Sequence, residues 1–289
     1  MSQSTSTLIL GPAGAVDPQE RITTLIENVL GRAQLQPAAI EVAQRNGHDI
    51  PRVLVDVTGA AVDSLDAFES FDDLDDVLPD GMELTDRFDP MHASPGLLRN
   101  LRIEAHPLLV LGVAADLEGQ LLDLPIEWVE DVEGRLGLSV DDERADAEVS
   151  GRARLAASQQ AVIDAIQPTV DRLLDEAGRP FAVEILQVQL TQEGVNRIRV
   201  QVLARAAKGI LSAKARAEAI VEVDRNLVLH VRDLDISSKN LVIAAGLKMA
   251  ESKLVMRSVD LRSHHLLGAR LQTASLTVGD EIVLEATLG

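Results

Sequence analysis

The chain has 289 residues and a net charge of −19, from 46 acidic against 27 basic side chains, with no cysteine, no tyrosine, one Trp and four Phe. The lack of cysteine excludes disulfides, thiol nucleophiles and cysteine metal sites. So acidic and aromatic-poor a chain suits neither phosphate backbones nor unstacked bases, and no nucleic-acid partner is expected.

The N-terminal stretch MSQSTSTLILGPAGAV has no basic region, and its apolar part is only Leu8 to Leu10. No signal peptide is read there, and no run approaches the ~20 apolar residues of a membrane span. The expectation is a cytoplasmic protein with at most peripheral membrane contact. The first helix is expected to start with Asp17 as its cap and Pro18 at its first position. Ile22, Leu25, Ile26, Val29 and Leu30 give its apolar stripe, and Gly31 ends it. Short strands are expected at 38–44 and 52–59, with an Asn46-Gly47 turn between them.

Residues 63–89 differ from the rest: eleven of these 27 residues are acidic, one is basic, and three of the four Phe fall here. Leu65, Phe68, Phe71 and Leu74 recur at helical spacing, so a short acidic amphipathic helix is expected. Two readings stay open, a surface helix packed by its Phe side or a segment docking in a protein partner's groove. From residue 99 the pattern turns to strands, at NLRIEAHP, LLVLGVAADLEG, LLDLPIEWVED, RLGLSVD and ADAEVSGRARL. In the last of these, period-two alternation predicts one buried and one wet face, although Ala is a weak strand former.

A second helix is expected over 158–178, capped by Ser158 and bearing Val162, Ile163, Ile166, Val170, Leu173 and Leu174, with Pro168 near its middle. Four long alternating strands follow, at 181–190, 195–205, 211–224 and 226–236. In the third, Ala213, Ala215, Ala217 and Ala219 oppose Lys214, Arg216 and Glu218, and alternation argues for a strand despite the alanine content. The tight turns between these strands imply antiparallel pairing. Residues 239–258 allow an amphipathic helix, and 269–279 and 281–288 read as a hairpin about Gly279-Asp280.

Charge is polarised. Residues 1–150 hold 30 acidic and 9 basic residues, whereas 151–289 hold 16 and 18, with all five lysines in this second half. A solvated acidic surface explains the first half; the second half is able to meet an acidic partner or lipid headgroups.

No catalytic motif appears. The six histidines lack zinc-type spacing, and GPAG at 11–14 lacks the Gly-Lys-Ser/Thr ending of a phosphate loop. There is no G-x-S-x-G elbow. No enzyme activity, metal or cofactor is therefore assigned. The small-residue faces are more informative. Alanine-rich inner faces beside helices either pack closely or leave room for an acyl chain, since ligand sites are concave and mostly apolar.

The segments ARAEAIVEVDRNLVLHVRDLDI, NLVIAAGLKMAESKL and GARLQTASLTVGDEIVLEATLG carry a resemblance. In order and texture the chain over 140–289, and loosely over 99–139, resembles bacterial TULIP-like lipid-binding proteins, most nearly the LmeA-like phospholipid-binding family. The resemblance implies an α+β fold, a long curved antiparallel sheet wrapped on long amphipathic helices, holding lipid without catalytic residues. Members of that family are expected to be exported or anchored, whereas no export signal is read here, so an intracellular carrier is expected.

Two regions are expected: 1–98, with the first helix, short strands and acidic segment, and 99–289, a TULIP-like lipid-binding domain. The expected ligand is a phospholipid or other acyl lipid, lined by Ile163, Ile166, Val170, Leu174, Ile185, Ile198, Val200 and Val202. The alternative is a scaffold with a dry core that docks a partner through Leu65, Phe68, Phe71 and Leu74.

Overall fold

Alternating apolar and polar residues run through most of the chain, and strands dominate the computed structural model, which describes residues 7–14, 17–32, 35–62, 83–85, 90–140, 144, 149–176, 182–208, 211–240, 258–261 and 271–289. The chain divides into two compact units: Met1–Leu155 with His265–Gln272 and Ala286–Gly289, and Ala156–His264 with Thr273–Glu285. The α+β class holds. The helices of the described residues, α1 (Pro18–Arg32) and α2 (Gln159–Glu176), have 15 and 18 residues, so the expected long helices are not seen there. None of them is long and apolar enough to cross a membrane.

In the first unit the centre is a pair of very long strands, β6 (Pro90–Val110) and β7 (Val113–Asp131), paired antiparallel. The sequence reading split this stretch into three strands. It placed no break at Leu111-Gly112, where φ values of 51° and 82° make the hairpin turn. Residue 98 lies inside β6.

On the outer edge of β6, strand β3 (Val53–Asp56) and the short β4 (Ala61–Val62) pair parallel, and β2 (Ala39–Val42) continues antiparallel beyond β3. The C-terminal part of β7 pairs with β8 (Arg135–Val140). Strand β8 in turn pairs with β1 (Thr7–Pro12), which also takes β5 (Glu83–Thr85). The sequence reading saw no strand at β1, because six residues carry too little alternation to register.

Large side chains form the centre of the core here. Leu10, Val53, Val55, Val57, Leu121, Leu124, Ile126 and Trp128 are all under 5% exposed in one cluster. Helix α1 packs Ile22, Leu25, Ile26 and Leu30 against it. Its start is as expected: the Gln19 N–H donates to the Asp17 carboxylate at 2.9 Å, which satisfies an orphan donor of the first turn. The loop at 46–49 closes over the sheet. The Trp128 indole N–H donates to the His48 carbonyl at 2.7 Å, and the Arg45 guanidinium lies 4.8 Å from the indole centroid. Gly96 is required beneath that loop, since a Cβ there would fall 2.1 Å from the His48 carbonyl oxygen.

The second unit holds an antiparallel sheet in the order β10 (Ala182–Gly194), β11 (Arg197–Lys208), β12 (Leu211–Val223), β13 (Val228–Ser238) and β14 (Ser258–Asp260). The alanine-rich segment is indeed a strand. Strand β9 (Ser150–Ser158) leads into α2, whose Ala161 N–H donates to the Ser158 hydroxyl at 3.0 Å. The terminal strands are β15 (Leu271–Val278) and β16 (Glu281–Leu288), joined at Gly279-Asp280. The ambiguous stretch 239–258 lies largely outside the described residues.

Candidate functional site

The site is assembled by register in the second unit. Strand pairing places Ile198 beside Val221, Val200 beside Ala219, Val202 beside Ala217, Ala204 beside Ala215 and Ala206 beside Ala213. On the other side of β11, Val183, Ile185, Val188 and Leu190 join the same face, kept in phase by a bulge between Ile185 and Gln187. Beyond β12, Leu229, Val231 and Ile236 continue it across a second bulge near Asp233, whose φ is 52°. Side chains two apart along a strand share a face, so this face is apolar over four strands, with Lys208 at its end in register with Leu211. The opposite face is charged, with Arg199 paired to Glu193 and Glu218, and Arg205 to Glu184 at 2.9 Å.

The apolar face has relief. Strand β12 contributes only alanine from 213 to 219, while β11 contributes valine at 200 and 202 and β13 contributes Leu229, Val231 and Ile236. Ala217 and Ala219 therefore floor a trough flanked by Val200, Val202 and Ile236, which widens over Ala204, Ala206, Ala213 and Ala215, while Leu229 and Val231 stand opposite Val223 and Val221. Ala204, Ala206 and Ala215 are buried, whereas Val188, Val200, Val202 and Val231 are half-buried. The alanine run from 213 to 219 spans about 23 Å along β12.

Three side-chain amides frame the unit. Gln167 of α2 donates to the Val183 carbonyl at 3.0 Å and accepts from the Ile185 N–H at 2.6 Å. It occupies the free edge of β10 as a further peptide unit would. Asn196 donates to the Ala274 carbonyl and accepts from the Leu276 N–H, each at 3.0 Å. Gln192 accepts from the Val278 N–H at 2.7 Å and donates to the Leu276 carbonyl. Two carboxamides thus pair with the backbone of β15 in place of a strand.

The predicted lining residues fall as follows. Ile185, Ile198, Val200 and Val202 share the apolar face, with Ile198 only 4% exposed. Ile163, Ile166 and Val170 are half-buried on α2, which packs along β10. Ile163 and Val170 share a helix face with Gln167, by their spacing of four and three. Leu174 is in α2, but its side chain lies outside the described residues, as do Leu65, Phe68, Phe71 and Leu74. Sequence reasoning noticed the β12 alanines without placing them in the lining. It missed the amide clamps, whose partners are 16 and 18 residues distant for Gln167 and 78 to 86 for Asn196 and Gln192.

One polar constellation sets a histidine beside a carboxylate, with a serine in register. His230 Nε2 lies 3.2 Å from the Asp224 carboxylate, and the register sets Ser258 opposite His230. Asp224, however, already accepts the N–H groups of Asn226 and Val228 at 2.8 and 3.0 Å. The Val228 N–H first and His230 further down hold its carboxyl below the ordinary value, against a smaller opposing effect of burial. No hydrogen bond joins Ser258 to His230 among the described residues. The arrangement closes the β12–β13 turn; it does not activate a hydroxyl, which would need a base within hydrogen-bond reach. No cluster of three His, Cys, Asp or Glu able to hold a metal occurs among the described residues. No family model matches the chain, and no curated protein and no solved structure is significantly similar to it.

Proposed function

We propose that the second unit binds a hydrophobic ligand, a phospholipid or other acyl lipid, along the alanine-floored apolar face, and that it does so without chemistry. This agrees with the TULIP-like, LmeA-like resemblance of the sequence. The observation that carries it is the apolar face with half-buried branched walls over a floor of alanine. Interiors pack to crystal-like density, so space over such a floor is filled either by a closely approaching element or by a ligand. Lipid binding needs only a long apolar surface and few polar anchors.

Native mass spectrometry of the purified chain, followed by solvent extraction, tests the reading. The expected result is a stoichiometric adduct of several hundred daltons, released by solvent and absent from Ala217→Trp, a variant that raises the trough floor. A clean apo mass, together with failure to take up added phospholipid or fatty acid, would overturn it.

A further inference from the structure

Basic side chains gather at one end of the five-stranded sheet. The register sets Glu184, Arg205 and Lys214 side by side across β10, β11 and β12. Lys239 follows directly on Ser238, which pairs with Ala215 and whose hydroxyl donates to the Lys214 carbonyl at 3.0 Å. Arg216 stands one row further in. Lys208 closes the β11–β12 hairpin by register. Three of the five lysines in the chain are therefore at this end.

Arg205, Lys214, Arg216 and Lys239 are all exposed. Arg205 has Glu184 as its ion-pair partner; Lys214, Arg216 and Lys239 have none among the described residues. The other end of the same sheet is neutralised. There Arg199 meets Glu193 and Glu218, and Arg197 approaches Glu193 at 3.4 Å and Asp233 at 3.8 Å. Lys214 and Glu222 are eight residues apart on one strand, about 26 Å, more than twice the ~10 Å screening length at moderate salt. The two ends therefore present separate fields.

From this we infer that the Arg205–Lys214–Arg216–Lys239 end of the sheet docks on an anionic lipid surface. Two observations favour a membrane over another polyanion. The small residues Ala204, Ala206, Ala213, Ala215 and Ser238 meet at this same end on the other face of the sheet, where Lys208 follows by register, so headgroup-binding charge and the alanine floor share one end. The chain as a whole carries −19, so its attraction to an anionic bilayer is confined to basic patches such as this end. The inference rests on the lipid-binding reading above and names the surface from which that lipid is drawn.

Co-sedimentation with vesicles tests it, using phosphatidylcholine alone or mixed with phosphatidylglycerol at low ionic strength. The expected result is binding only to the mixed vesicles. Lys214→Glu should weaken it at least about fivefold, the worth of one basic residue beside an anionic leaflet. Arg225→Glu makes the same charge change at the opposite end and should bind as wild type; thermal melts confirm that both variants fold. Equal loss in the two variants, no loss in Lys214→Glu, or no sedimentation with the mixed vesicles would overturn the docking site. So would retention on heparin or an acidic peptide without vesicle binding.

Uptake of a monomeric fluorescent fatty acid, measured without vesicles, separates the two claims. Normal uptake by Lys214→Glu with weakened vesicle binding supports both. Uptake without any vesicle binding defeats docking alone. Charge-dependent vesicle binding without uptake defeats ligand carriage alone.

Discussion

The two units alternate apolar and polar residues with the same period and bury different things. The first unit buries Leu, Ile, Val and its single Trp around β6 and β7, with Leu10 fully buried and Trp128 at 4% exposure. On the apolar face of the second unit, the floor is alanine and most of the branched side chains stay half-buried. The periodicity decides which residues share a face. The sizes of those residues decide whether the face is a core or a surface able to take a ligand.

The comparison breaks most sharply under truncation. Trp128→Ala removes a buried indole, orphans the His48 carbonyl and takes away the stacking partner of Arg45. It should cost about 3–5 kcal/mol, as large-to-small changes in tight cores do. Val202→Ala, on the half-buried face, should cost no more than about 1.5 kcal/mol, because less apolar area leaves water. Urea denaturation of both variants measures the contrast, and equal losses would mean that the second unit is packed as tightly as the first.

The opposite substitution sharpens the same point. Ala105 is fully buried between long strands, so Ala105→Leu should overpack and cost about 1–3 kcal/mol. Ala217→Leu fills a half-buried trough floor and should cost under about 1 kcal/mol while reducing ligand uptake. A similar penalty at both positions would argue for a dry core in the second unit.

A smaller effect is expected at the amide clamp. Asn196 sits at φ 58°, a conformation that Asn tolerates and Gly adopts freely. Asn196→Gly therefore keeps the backbone and deletes only the two bonds to Ala274 and Leu276. The loss should be about 1–2 kcal/mol, at roughly 1 kcal/mol net per bond. It should appear first as faster amide exchange at Leu276.

Much of the architecture was legible in the sequence. The caps Asp17 and Ser158, the hairpin at Gly279-Asp280 and the strand nature of 211–223 all follow from local rules, since neighbouring residues determine them. Alternation also grouped Ile185, Ile198, Val200 and Val202 onto one face. What stayed hidden depends on distance along the chain. Nothing local to Asn196 or Gln192 announces an edge strand about 80 residues away, and a bulge such as that at Ile185 to Gln187 alters register without altering composition. The two-residue turn at Leu111-Gly112 hid between apolar runs because Leu is a rare occupant of a left-handed turn position.

Each unit also contains one hairpin turn closed by an aspartate in the same way. Asp131 accepts the N–H groups of Glu133 and Arg135 at 2.9 and 2.8 Å, and Asp224 accepts those of Asn226 and Val228. Both bonds run from residues two and four further on. The counter-ions differ: Arg135 stands 2.7 Å from Asp131, and His230 stands 3.2 Å from Asp224. Burial alone would raise the Asp131 carboxyl, but the Arg135 and Glu133 N–H groups and the Arg135 guanidinium outweigh it and hold the carboxyl below the ordinary 3.8. Asp224 is held down in the same direction. A carboxyl depressed on folding contributes stability above its unfolded value and loses that contribution as pH falls through the folded one. Asp131→Asn and Asp224→Asn should therefore each lower the melting temperature at neutral pH. The gap to wild type should start to close as the pH drops below 3.8 and vanish once it has fallen through the lower folded values, where the wild-type carboxyls also become neutral. Thermal melts between pH 7 and pH 2.5 follow both gaps. A gap that stayed constant with pH would show that turn geometry, rather than the carboxylate charge, stabilises these hairpins.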